Sequence, residues 1–212
     1  MPAIPPTTQA LIVVNVLVYL IQVATGDLSP HSAHAVSVAF GLWSVSAPVG
    51  EPSEFHLWQL VTYSFLHGGT AHLFFNMLAL FMFGSDIERV WGGRRYLGYY
   101  LVCVVSAALA QLLVSSISGG APYPTIGASG GVYGLLLAFG MMFPRRTVVL
   151  LVPPIPMPAW LLVTVFGTAE LLFGITGTQA GVAHFAHLGG MAGGFLLIQY
   201  WRGRLPIKPR RR

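Results

Sequence analysis

Three short runs carry groups capable of acyl-transfer chemistry inside otherwise apolar sequence. The first is Gly127-Ala128-Ser129-Gly130-Gly131-Val132-Tyr133-Gly134. A hydroxyl in the first turn of a helix lies beside backbone N–H groups without an intrahelical acceptor and beside the positive end of the helix dipole. That setting suits negative charge developing on a carbonyl oxygen, and the glycines leave room for a second backbone to approach. The same glycines also form small-xxx-small packing pairs, Gly127 with Gly131 and Gly130 with Gly134. Alone, the run serves packing and catalysis equally well.

The second run is Ala183-His184-Phe185-Ala186-His187-Leu188-Gly189-Gly190. An ionisable side chain within an apolar stretch is costly in lipid and marks a candidate functional group. Ser129 and His187 fall about three and five residues into their helices, roughly 5–8 Å below the helix starts, so their depths match. Gly190 and Gly194, with Gly189 and Gly193, let the two helices come close enough for a histidine nitrogen to reach a serine oxygen. The third run is His72-Leu73-Phe74-Phe75-Asn76, whose two polar residues share a helix face. Neutral donors there suit an oxyanion next to the Ser129 N–H; the alternative is a polar pair bonding across helices for stability.

These residues need elements to hold them, and composition says what kind. Of 212 residues, 55% are hydrophobic and only 8% charged, against about a quarter charged in soluble domains. Six apolar runs, near 9–25, 71–88, 96–117, 126–143, 159–175 and 182–201, approach the roughly 20 residues that cross a bilayer core of about 30 Å. The expectation is an all-α membrane protein of six transmembrane helices, with residues 1–212 forming a single domain. The first run reads as a retained span, because no Lys or Arg precedes it as in a cleavable signal. Between the first two runs, about 26–70, Trp43, Phe55 and Trp58 make a loop too apolar for open solvent, so a partly embedded loop is expected. Pro153, Pro154, Pro156 and Pro158 interrupt helix before the fifth run.

All eleven Lys and Arg residues follow runs two, four or six, the last group forming a basic tail over about 202–212. By the positive-inside rule both termini are cytoplasmic. The net charge of +5 therefore reads as topology and attraction to anionic lipid rather than nucleic-acid binding. Runs two, four and six then begin at one level near the outer face, where all three polar motifs lie. A six-span core without a seventh segment points to a bacterial cytoplasmic membrane.

The lone Cys103 excludes an intrachain disulfide and a cysteine metal cluster. His67, His72, His184 and His187 invite a metal, but no Asp, Glu or Cys completes a recognisable spacing, so no cofactor is expected. His184 reads as lining a water-filled mouth, and His67 as supporting the loop or that cavity. Glu170, toward the outer end of run five, must be protonated, paired or wet. A structural hydrogen bond is favoured over a role as a modulating acid.

The Gly-x-Ser-Gly run at 127–130, the His-x-x-x-Asn pair at 72 and 76 and the Ala-His-x-x-Gly run at 186–190 occur in the order found in rhomboid intramembrane serine proteases. The resemblance extends from Trp58 to about Tyr200 and includes the six-span topology. It implies a rhomboid-like bundle with Ser129 as nucleophile and His187 as general base, in a dyad that needs no acid. It assigns His72 and Asn76 to the oxyanion hole and places Tyr133 against the catalytic histidine, with Gly127 supporting. It also implies a structural ion-pair region at Glu88 and Arg89. Its substrates would be single-span membrane proteins, cut near the outer leaflet where small residues weaken the helix. The chain departs from the family at Trp58-Gln59, where many members carry Trp-Arg, so no ion pair anchoring the loop is expected. Two other functions fit parts of the pattern. A silent relative that binds membrane clients would normally have lost the serine or the histidine. A small transporter would need polar residues through the whole depth, and runs two and six are apolar in their inner halves.

Overall fold

Six helices occupy the six apolar runs in a computed structural model that describes residues 3–29, 34–46, 53–118, 123–150, 153–177 and 183–207. Helix α1 spans Pro6–Ala24; α2 (Ala35–Phe40) and α3 (Gln59–Thr62) are short turns within the first loop. A second long rod, Thr70–Trp91, is built from α4 (Thr70–Ala79), a π-helical turn at Leu80–Gly84 and α5 (Ser85–Trp91). Helices α6 (Gly93–Ile117), α7 (Ser129–Met142), α8 (Ala159–Thr176) and α9 (His184–Trp201) complete the bundle. By length and composition α1, the α4–α5 rod, α6 and α8 are able to cross a membrane, and α7 is apolar but shorter.

Burial runs opposite to that of a soluble helix. On α1, Thr8, Asn15 and Gln22 are buried while Val13, Leu17, Leu20 and Ile21 are exposed. Such a surface is stable only against hydrocarbon, and the chain is an integral membrane protein. Inside, polar groups from α1 find partners: the Gln22 Oε1 accepts the His67 N–H at 3.0 Å, and the Tyr19 and Thr70 hydroxyls meet at 2.8 Å.

Helix α7 is the central element, with its glycines and Val132, Leu135, Leu136, Ala138 and Phe139 all buried. It starts at Ser129, later than the expected 126, because Gly127 has φ +127° and cannot join a right-handed helix. Its 14 residues make about 21 Å of helix, short of a core of about 30 Å. Its far end runs into the basic Arg145 and Arg146.

The basic residues that the structure describes gather at one end. Asp86 pairs with Arg89 at 3.1 Å and with Arg146 at 2.8 Å, tying α5 to the exit from α7. The Arg95 guanidinium lies 4.1 Å from the Trp201 ring centroid at the end of α9. Lys208, Arg210, Arg211 and Arg212 lie outside the described residues. The expected ion-pair region at Glu88 and Arg89 is differently arranged. Arg89 turns to Asp86 and to the carbonyl of Ala3, while Glu88 caps the start of α1. Its carboxylate accepts the Thr7 N–H at 2.9 Å, the Thr8 N–H at 2.7 Å and the Thr8 hydroxyl at 2.8 Å, satisfying donors that every helix start leaves open.

The proline-rich stretch before α8 holds a small hairpin that the sequence reading did not anticipate. Strand β1 (Thr147–Val149) pairs antiparallel with β2 (Pro156–Pro158), Val148 opposite Met157. The β-branched Thr147-Val148-Val149 favours strand, and prolines are tolerated on an edge where no ladder N–H is required.

The first loop is fixed without an ion pair to Gln59. Instead the Gln59 Oε1 accepts the Trp43 N–H at 3.2 Å and its Nε2 donates to the Glu54 carbonyl at 3.2 Å. Asp27 gathers the start of the loop: its carboxylate accepts the Ser37 hydroxyl at 2.5 Å and the Val36 N–H at 3.0 Å. Burial works to raise the Asp27 pKa, but the hydrogen bonds, led by Ser37, outweigh it and hold the carboxyl below its ordinary value. The two tryptophans divide. Trp43 is tucked inside with its indole N–H on the Val38 carbonyl, whereas Trp58 stays half exposed, bonded to the Ala39 carbonyl.

Helix α9 packs on α7 and α6 at backbone distance. A Cβ at Gly190 would fall on the carbonyl of Gly130 in α7. Gly189, Gly193 and Gly194, expected to face the same neighbour, instead press on Ala110, Ser106 and Tyr99 of α6. The glycine stripe therefore serves two helices. Gly190→Val is expected to lower the thermal unfolding midpoint in detergent by the equivalent of about 1–3 kcal/mol through overpacking. Gly98→Ala, a helical site with nothing within 4 Å of the added carbon, should be neutral or stabilising by up to about 1 kcal/mol.

Candidate active site

Ser129 is the first residue of α7, so its N–H and those that follow belong to the open first turn. His187 is the fourth residue of α9. The contact between Gly130 and Gly190 brings these two starts together, and His187 Nε2 lies 2.7 Å from Ser129 Oγ. One turn on, the Tyr133 ring lies parallel to the His187 ring, with centroids 4.3 Å apart and planes 5° from parallel. The stack fixes the imidazole plane while its Nε2 edge points at the serine.

The segment before Ser129 is held from two sides. The Gly127 N–H donates to the Tyr63 carbonyl at 2.9 Å, and the Tyr63 hydroxyl donates to the Val104 carbonyl of α6 at 2.9 Å. Leu42 of the first loop pairs with Thr125 through two backbone hydrogen bonds of 3.0 and 2.9 Å. The loop thus braces the strand-like approach to the serine.

His72 and Asn76 face the same space from α4. The Gly68 N–H donates to His72 Nδ1 at 3.3 Å; with Nδ1 accepting, a neutral ring carries its proton on Nε2 and presents a donor there. A Cβ at Gly127 would lie 2.8 Å from His72 Nε2 and 3.7 Å from Ser129 Oγ. The absent side chain thus opens room for a small group between the two. Asn76 uses one amide hydrogen on the His72 carbonyl, at 2.9 Å, and keeps a second. His67, fully buried beside His72, is pushed down to about 4, first by burial and then by the neighbouring ring. It remains a neutral packing partner.

All six residues singled out in the sequence, His72, Asn76, Gly127, Ser129, Tyr133 and His187, line one cavity of about 1290 Å³. The cavity continues past Phe75 and Met82 of the rod and Phe166 of α8. His184 does not line it, contrary to its expected place at the mouth. It is buried behind His187, with Nδ1 2.6 Å from Glu170 Oε2.

Glu170, for which the sequence favoured a structural hydrogen bond over a role as a modulating acid, lies against the site. Its Oε1 accepts the Tyr133 hydroxyl, and its Oε2 lies 2.6 Å from His184 Nδ1 and 2.9 Å from His187 Nδ1. The His187 contact is close but not aligned as a hydrogen bond. The only sequence signal was a lone carboxylate in an uncharged span. Glu170, His184 and His187 offer three metal-type donors within 4.8 Å of one another, all buried, which the sequence spacing did not reveal. Ligands of a tetrahedral ion with bonds of about 2.0 Å stand roughly 3.3 Å apart. Both separations from Oε2 are shorter, so the donors are closed on one another.

A side chain at position 127 would both strain the backbone and push on His72. Gly127→Ala is expected to cost about 1–3 kcal/mol of stability, as for other residues forced into this region, measured as a lowered unfolding midpoint in detergent.

Residues 54–204 match the Rhomboid domain family model. Over 79 residues, 37% of this chain and 14% of the relative, the sequence is 42% identical to Rhomboid protease GluP of Bacillus subtilis. It is 29% identical over 140 residues to Putative rhomboid protease YdcA of the same organism, covering 66% of this chain and 65% of that one. Against Rhomboid protease GlpG of Yersinia pestis the identity is 26% over 203 residues, 94% of this chain and 63% of the relative. The chain spans less than two thirds of the length of each. With the family model covering most of its length, this chain belongs to the rhomboid family.

Proposed function

We propose that this protein is an intramembrane serine endopeptidase that hydrolyses peptide bonds in or near single transmembrane segments of other membrane proteins. The observation that supports this reading best is the 2.7 Å contact between His187 Nε2 and Ser129 Oγ at the wall of a large cavity. Three relatives carry the word protease in their names, which favours the same reaction class. The mechanism is acyl transfer. His187 Nε2 takes the Ser129 proton as Oγ attacks a substrate carbonyl. The tetrahedral oxyanion forms against the Ser129 N–H, His72 Nε2–H and the second Asn76 amide hydrogen. His187 then returns the proton to the leaving amine, and water enters through the cavity to release the acyl group.

The cavity exceeds the roughly 300–1,000 Å³ of small-molecule sites and suits a length of unwound chain. Segments with small, helix-weakening residues expose scissile carbonyls most readily, because helical backbone has its carbonyls already bonded. The gathering of Arg89, Arg95 and Arg146 at the end opposite Ser129 favours cytoplasmic termini and a site near the outer face. A bacterial cytoplasmic membrane fits this arrangement. A silent client-binding relative would have no use for the Ser129–His187 contact.

Co-expression with a tagged single-span substrate tests the proposal. Ser129→Ala and His187→Ala are expected to give no product above background on immunoblots, while His184→Ala still cleaves. Product from Ser129→Ala would contradict the mechanism. An inactive His184→Ala with an active His187→Ala would reassign the base alone.

A further inference from the structure

We propose that Glu170 is a third member of the catalytic array, a positioning residue that holds His187 in the tautomer and orientation its reaction needs. The inference rests on the serine-protease reading above and deepens it.

Helix α8 turns most of its surface outward: Val165, Leu171, Leu172 and Ile175 are exposed, and Glu170 is the one residue buried in its outer half among those described. A carboxylate there is costly unless satisfied, and it is satisfied entirely by the site. Oε1 takes the Tyr133 hydroxyl, from the ring that stacks on His187. Oε2 faces His184 Nδ1 at 2.6 Å and His187 Nδ1 at 2.9 Å. The groups facing His187 are thus Ser129 and Tyr133 from α7, Glu170 from α8, His184 on its own helix and His72 from α4.

The chemistry follows from which nitrogen carries the proton. A neutral imidazole has one N–H and one lone pair. A lone pair on Nδ1 would confront the carboxylate, so the ring keeps its hydrogen on Nδ1 and leaves Nε2 free to accept from the Ser129 hydroxyl. When Nε2 takes the serine proton, the ring becomes a cation with Nδ1–H still facing Oε2. Glu170 gains no proton; its charge balances the imidazolium at 2.9 Å in a low-dielectric setting where that attraction is strong. Because this contact is not aligned as a hydrogen bond, the stabilisation is mainly one of charge. Ring orientation comes from the Tyr133 stack, which Glu170 in turn fixes through the tyrosine hydroxyl.

The test compares Glu170→Gln with Glu170→Asp in proteoliposomes, using a fluorogenic single-span substrate. Turnover is expressed per site labelled at the endpoint by a fluorophosphonate, so unfolded protein does not count. A positioning carboxylate predicts that E170Q loses about tenfold or more in kcat while KM moves by less than about threefold. It also predicts that E170D, shorter but charged, recovers part of kcat. A purely structural hydrogen bond gives the reverse order, since glutamine keeps the shape and aspartate does not. An E170Q kcat equal to or above that of E170D would overturn the proposal. If E170Q cannot be recovered folded, E170A against E170D reads the same contrast, and equal kcat overturns it. Ser129→Ala in the same assay separates the two claims: product from it defeats the protease reading. Silence there with a fully active E170Q defeats only the role of Glu170.

Discussion

The structure depends on one close approach, the backbone of α9 at Gly190 lying against the carbonyl of Gly130 in α7. In lipid, apolar side chains gain little by meeting each other rather than acyl chains, so helices associate through close packing and a few polar contacts. Glycine at 190 permits an approach that any side chain would prevent. The approach brings the first turns of two helices to one level, within hydrogen-bond reach of each other. The Ser129–His187 contact, the Tyr133 stack and the Glu170 network are all consequences of it.

A second constraint shapes what surrounds the site. Backbone and polar side chains cannot be left bare to hydrocarbon, yet the proposed hydrolysis needs water at the serine. The short α7 meets both demands by leaving the approach to Ser129 to extended chain and cavity. The first loop supplies hydrogen bonds to that chain at Thr125 and Gly127 and is itself pinned by Asp27 and Gln59. At the opposite end Asp86, Arg89 and Arg146 join the rod to the exit from α7. Isolated pairs of this exposure contribute little to stability; their value is in marking which helix ends share a level.

Much of this was legible in the sequence, for identifiable reasons. Long apolar runs carry the fold class, because lipid imposes it. Ser129, His187, His72, Asn76, Tyr133 and Gly127 stood out as polar residues or glycines where lipid disfavours or packing permits them, and they line one cavity. What could not be read was rotation about helix axes and local backbone departure. Spacing could not say that Gly189, Gly193 and Gly194 face α6, or that His184 points away from the cavity. Nor could it say that Glu170, from a helix with no sequence relation to His187, would meet it. The late start of α7 depended on the Gly127 dihedral, and the hairpin on a pairing of 147–149 with 156–158 across a stretch whose prolines signal only an interrupted helix.

The central claim is that Ser129 is a nucleophile activated by His187, and site-mapped covalent labelling tests it most directly. The purified protein in detergent would be treated with a fluorophosphonate probe, digested, and the modified peptide identified by mass spectrometry. The expected result is a single adduct on Ser129, with the labelling rate reduced by about a hundredfold or more in His187→Ala, as for loss of a general base. An adduct on another residue, or labelling of His187→Ala at the unmodified rate, would contradict it.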